Sequence, residues 1–183
     1  MSGDEVAIRP EIVIGLVGAL GTEMNRVEDA LSKALTSVGY SRRTVRVSGL
    51  ISSTYEELGL PEIPQAATEL DHLMDMGDKL RQHHDDGAAA AAITVSAIAR
   101  RRFEELGQDE VEAGAEREGV ATIVRQMKHP DEVHLLRSVY GPRFVLLGAW
   151  SPREQRQVVI LSDCVHLPLA RMSPGTSNMR SGL

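Results

Sequence analysis

Residues 12–22 read IVIGLVGALGT. Ile12 to Val17 is a short, continuously apolar run that ends in glycines, the pattern of a strand buried on both faces and so of the first strand of a parallel sheet. Downstream, Val27, Leu31, Ala34, Leu35 and Val38 recur at helical spacing, and Gly39 follows as a C-terminal cap. Upstream, Met1 to Pro10 is acidic and polar, without the basic start and apolar run of a signal peptide, which predicts a reducing, cytoplasmic setting.

Further along, Thr44 to Val47 alternates toward a second strand, and Ser52 to Ala67 carries Gly59, Pro61 and Pro64, which predict loop or short helix. Leu70, Leu73, Gly77 and Leu80 form one helical stripe. Ala88 to Leu106 predicts a helix between acidic Asp85 and Asp86 and basic Arg100, Arg101 and Arg102, charges that complement the helix dipole. Gln108 to Gly119 is acidic and glycine-bearing, and reads as a mobile surface excursion or lid. Val120 to Val124 and Phe144 to Ala149 read as strands joined by a helix from Pro130 to Val139, a βαβ unit that requires a parallel sheet. Pro152 to Gln157 begins like a charged helix, and Met172 to Leu183 is rich in Ser, Gly and Pro. The expected fold is a three-layer α/β domain with a mainly parallel sheet over residues 1–157, followed by a disordered tail over 158–183.

Composition narrows the function classes. With 183 residues, 42% of them hydrophobic and 3% aromatic, one core can form from aliphatics and alanine without staples. The single cysteine, Cys164, excludes an internal disulfide and any zinc site needing two thiolates from this chain. Gly87 to Ala99, the longest low-charge stretch at 13 residues, is too short to span a bilayer. The net charge of -6 hides an asymmetry: residues 52–118 hold 16 acids against six bases, whereas 119–183 hold four acids against eight bases. An acidic chain repels long nucleic acid and suits small ligands or protein partners.

Aligned to the phosphate-binding pattern G-x-x-x-x-G-K-[ST], Gly18 stands at the first glycine, but Glu23, Met24 and Asn25 stand where the second glycine, the lysine and the hydroxyl belong. The lysine neutralises the distal phosphates and the hydroxyl holds magnesium, so this loop cannot run ordinary phosphoryl transfer. The amides of Gly18 to Thr22, Gly21 among them, either bind an anion weakly or make only a tight turn. The dinucleotide pattern G-x-G-x-x-G fails too, because Gly15, Gly18 and Gly21 are spaced three apart.

IVIGLVGALGT, LMDMGDKLR (residues 73–81) and MKHPDEVHLLRSVYGPRFVLLGAWSPREQR (127–156) together resemble the N-terminal domain of the antiphage dCTP (deoxycytidylate) deaminases, most specifically across Lys128 to Gly141. The resemblance runs from about Glu11 to Arg156. It implies a fold like that of P-loop deoxynucleotide kinases with a degenerate phosphate loop, standing before a zinc-dependent cytidine-deaminase-like domain. Members of that family deaminate deoxycytidine nucleotides and so deplete dCTP. A deaminase centre uses H-x-E and P-C-x-x-C, and this chain has neither: His129 is followed by Pro130 and Asp131, and Cys164 has no second cysteine. No catalytic residue and no metal ligand is therefore carried over, and zinc belongs only to the deaminase domain. A truncated, a frameshifted and a free-standing version of the domain remain open.

The resemblance also implies a phosphate contact for Arg81, on the segment matching the monophosphate-binding helix. Arg125, Arg153 and Arg156 fall near predicted strand ends, the side of a parallel sheet where ligands bind, and otherwise read as solvated surface. The expected partner is a deoxynucleotide or other nucleotide. A homo-oligomer is a second candidate, since Ala88 to Ala92 permits close helix packing in a core or between copies. The run His83, His84, Asp85, Asp86 has metal-capable side chains, but adjacent helical residues diverge. His129 and His134 are poorly spaced for a shared site, and Cys164 lacks a nearby base. The expected function is nucleotide sensing or scaffolding, with a small deoxynucleotide kinase or a non-catalytic oligomerisation module as alternatives.

Overall fold

β1 (Ile12–Gly18) lies inside a four-stranded sheet, paired in parallel with β3 (Val120–Arg125) on one side and β4 (Phe144–Ala149) on the other. β2 (Ser41–Arg46) pairs in parallel with β3, giving the order β2-β3-β1-β4. The architecture comes from a computed structural model that describes residues 9–61, 63, 69–112, 114 and 117–165.

Strand alternation sorts the core into two clusters. Val13, Val45, Val124 and Phe144 pack against α2 (Val47–Glu57), α3 (Glu69–His84), α4 (Ala89–Leu106) and α6 (Pro130–Tyr140), through Ile51, Leu80, Ile98 and Leu136 among others. Ile14, Leu16, Ala121 and Ile123 turn to the opposite face and meet Leu35 of α1 (Met24–Ser37). The sheet is thus covered on both faces, as its apolar strands require. Gly15 matters on the first face: a Cβ there would sit 2.6 Å from the Met127 sulfur and 3.0 Å from the Phe144 ring.

Local signals explain most helix ends. Gly39 follows α1 at φ 81°, and Tyr40 donates its amide to the Leu35 carbonyl. Pro130 opens α6, where His129 Nδ1 accepts from the Asp131 amide at 3.3 Å. Asp86 accepts from the Ala88 amide at 2.7 Å ahead of α4, which Gly107 ends at φ 84°.

Four expectations are corrected. The second strand begins at Ser41 and ends at Arg46, so Val47 is already helical. The stretch from Ser52, read as loop or short helix, is helix as far as Glu57, which is the second of those readings; residues 62 and 64–68 lie outside the described residues. The excursion after Gly107 contains a short helix, α5 (Gln108–Glu112), and its far end is pinned rather than lid-like, because Arg117 is buried. Arg102, read as a dipole complement, instead reaches Glu11 at 3.0 Å. The expected domain end at 157 falls within α7 (Arg153–Val165), and residues 166–183 lie outside the described residues.

The pin at the N-terminal end of the sheet is a buried charge network. Glu11, 3% exposed, accepts from Arg117 through Nε at 3.1 Å and through Nη2, and from Arg102 Nε at 3.1 Å. Arg117 also reaches Glu105 at 3.3 Å, which pairs with Arg43 at 2.9 Å. Burial works against the Arg117 charge, yet the hydrogen bonds and charges of Glu11 and Glu105 outweigh it, and its pKa is raised. Removing one partner of such a pair strands a buried charge. Glu11→Ala is therefore expected to lose about 3–5 kcal/mol of unfolding free energy, read by urea denaturation, while surface Glu104→Ala stays within about 0.5 kcal/mol.

Tyr140 sits in the same field, and burial raises its phenol pKa; Arg102 and Arg117 pull it down and Glu11 pushes it up, with a net rise. A raised folded-state value favours the neutral phenol in the folded chain, so this contribution is complete below the unfolded value near 10 and is lost as pH rises through the folded value. Thermal denaturation across the alkaline range is expected to show a smaller loss of stability in Tyr140→Phe than in the parent chain.

Candidate functional site

At the C-terminal edge of the sheet the connection from β1 leads to β2 on one side, and that from β3 leads to β4 on the other. Neighbouring strands whose connections leave in opposite directions open a crevice, the usual ligand position in an open parallel sheet. Two loops frame it, residues 19–23 after β1 and residues 126–129 after β3.

The first loop is closed. The Thr22 amide donates to the Ala19 carbonyl at 3.0 Å and the Met24 amide to the Thr22 carbonyl at 2.7 Å, so neither is presented to an anion. Met24 is buried over Gly18, where an added Cβ would collide with its methyl group. Gly21, at φ 78°, backs onto the main chain of α7, and a side chain there would strike the Arg156 carbonyl. Gly18, Gly21, Thr22 and Arg156 are thus brought together in a packed corner, where among the amides from Gly18 to Thr22 that of Thr22 is turned inward. Thr22 Oγ1 and Arg156 Nε are buried there without a hydrogen-bond partner among the described residues.

The second loop is open and shaped. The amides of Gln126 and Met127 both donate to the Leu16 carbonyl, at 3.1 and 3.2 Å, which turns the chain sharply at the end of β3. Gln126 consequently holds φ 65°, a left-handed conformation that costs a non-glycine residue about 1–2 kcal/mol. Two cavities of 290 Å³ each meet at Gln126 and Ser48.

One cavity is polar, lined by Asn25, Arg46, Ser48, Arg125 and Gln126. Arg125 is oriented from α1, donating to Asn25 Oδ1 at 2.7 Å and to Glu28 at 3.3 Å. Glu28 is itself buried and also accepts from Arg42 at 2.9 Å and Thr44 at 2.7 Å, so Arg125 is a held cation and not solvated surface. Arg46, by contrast, is exposed and makes no ion pair among the described residues.

The other cavity has an apolar wall of Val47, Ile51, Leu73, Met74 and Gly77, with Asp78, Arg81, Lys128 and Glu132 among its polar lining. Arg81 is no free surface arginine: it donates to Asp78 at 3.0 Å and to buried Glu132 at 3.1 Å. A Cβ on Gly77 would lie 3.3 Å from the Arg81 guanidinium, so the glycine leaves the cation its place. Glu132 accepts from the Lys128 amide at 2.7 Å with its second oxygen, joining α3 to the loop after β3.

The remaining candidates disperse. His83 and His84 touch each other edge to face at 5.0 Å, Asp86 accepts from the Ala88 amide ahead of α4, and His129 caps α6. Among the described residues no group of three or more His, Cys, Asp and Glu side chains could hold a metal. Arg153 is exposed at the start of α7, and the Cys164 side chain lies outside the described part. A wider cavity of 540 Å³ between α2 and α4 is lined by Leu50, Glu57, His84, Asp86, Ile93 and Arg100 among others, away from the strand ends.

Sequence reasoning missed Arg46, Ser48, Gln126 and Glu132 as site residues. Arg46 becomes visible only once β2 is seen to end there, because the last residue of a parallel strand faces the ligand edge. No helix among the described residues is long and apolar enough to cross a membrane. No family model matches the chain, and no curated protein matches it.

Proposed function

We propose that the chain is a cytoplasmic nucleotide-sensing or scaffolding domain, akin to the kinase-like half of the antiphage deoxycytidylate deaminases, that binds a deoxynucleotide without transforming it. The observation that carries this reading is the pair of adjacent cavities at the strand ends that share Ser48 and Gln126 in their walls, one cationic and one with an apolar wall. A nucleotide has the matching halves, an anionic phosphate chain and a flat base whose faces are apolar. Arg46 and Arg125 would meet phosphate, and the slot between α2 and α3 would hold the base, with Gln126 and Ser48 between them.

Catalysis is not part of the reading. Glu23, Met24 and Asn25 replace the residues that phosphoryl transfer needs, and the sequence contains neither H-x-E nor P-C-x-x-C. Met24 buried over Gly18 also fits a corner that has become packing rather than a phosphate loop.

Thermal-shift measurements with each deoxynucleoside mono- and triphosphate test this. Ligand at ten times its Kd adds about 1.4 kcal/mol, a rise of roughly 3–6 °C for a chain of this size. Arg46→Gln, at an exposed position, is expected to weaken binding at least tenfold with the unliganded Tm unchanged. A flat response at millimolar ligand would leave a structural or oligomerisation module. Transfer of phosphate from ATP to any deoxynucleoside monophosphate would make the protein a kinase of unusual loop chemistry.

A further inference from the structure

The two edges of the sheet are built differently. β2, at one edge, has the sequence SRRTVR, and its Arg42, Arg43 and Arg46 spread positive charge along the strand. Charged side chains on an edge strand oppose pairing with another chain, since pairing would bury them. β4, at the other edge, has the sequence FVLLGA, with no charge, no proline and no bulge in its ladder to β1. Among the described residues it is hydrogen-bonded to β1 alone, so the groups along its outer side have no strand opposite them. Its side chains are also under-covered: Val145 is 43% exposed although it alternates with Leu147 on the face packed by α1, and Trp150, just past the strand, is 82% exposed.

We propose that β4 is a pairing edge that takes β4 of a second copy of this chain, antiparallel across a two-fold axis, so that the two sheets run on as one of eight strands. Charge selects this occupant. A β2 edge brought to either strand would bury arginines that are ion-paired to Glu28 and Glu105 in their own chain, whereas β4 itself carries no charge, and Arg143, the exposed residue just before it, reaches only the two ends of the junction. An identical strand is self-complementary in the antiparallel sense, which a two-fold axis supplies.

Register follows from the pleat. In an antiparallel pair, directly opposite residues both point their amides at the partner or both point them away, so the axis must pass beside a residue. With the axis beside Leu146, Val145 of each copy lies opposite Leu147 of the other, and the exposed apolar face of one β4 covers that of its mate. This junction is separate from the cleft at the strand ends and does not depend on what binds there.

Sedimentation equilibrium of the full chain between micromolar and 100 µM is expected to give twice the 19.9 kDa chain mass, and Val145→Lys to return it to the single mass with unchanged far-UV circular dichroism. Should Val145→Lys fail to fold, a second variant decides. Leu146→Cys in a Cys164→Ser background places two thiols side by side on the axis and is expected to form a disulfide-linked dimer on mild oxidation. A parent chain of single mass throughout would overturn the proposal. So would a dimer that survives Val145→Lys, or a Leu146→Cys chain that stays unlinked.

Discussion

A strand hydrogen-bonded on both sides and covered on both faces favours apolar side chains along its length, because a polar group there must find a partner or go without one, as Thr122 Oγ1 of β3 does among the described residues. β1 obeys this constraint, since its non-glycine residues are all apolar and Leu16 is fully buried. Chemistry is therefore pushed to the two ends of the sheet. At the N-terminal end Glu11 gathers Arg102 and Arg117, and at the C-terminal end Arg46, Arg81, Arg125 and Lys128 surround the crevice. The first set is largely buried and tied together by ion pairs that run on to Glu105 and Arg43, as a fastening should be. The second keeps Arg46 without an acidic partner among the described residues and an apolar wall close by, as a binding surface should.

The parts legible in the sequence are those governed by local patterns. β1, β3 and β4 read correctly because a short, unbroken apolar run bounded by turn residues fits a buried strand and little else, and α1 and α6 because Gly39 and Pro130 mark their ends. β2 is harder to read, since an edge strand guarded by arginines has no apolar run, and Val47 continues its alternation although it already belongs to α2. Gly59 and Pro61 lie just beyond α2 and leave its second half readable as either loop or short helix, while its start at Val47 is hidden by the alternation of the strand before it.

Long-range charge is invisible in the sequence for a physical reason. Glu11 and Arg117 meet across 106 positions, and Glu28 and Arg125 across 97, so no spacing rule reaches them. In the loop after β1 the absence of the lysine and hydroxyl of the phosphate-binding pattern is readable, but the packing of that corner by Met24 and by the backbone of α7 is not. Arg81 is found through the segment that contains it, and its partner Glu132 lies in the neighbouring segment of the same resemblance, although their contact spans 51 positions.

That contact ties two sides of the crevice together. One oxygen of Glu132 holds Arg81 on α3, and the other holds the main chain of Lys128, so a helix and a loop from different layers are joined through a single carboxylate. The gap between them is thus bridged by one side chain. The Arg81 guanidinium that faces the cleft is thus already engaged by two carboxylates, Glu132 and Asp78, so its positive charge is partly spent inside the protein.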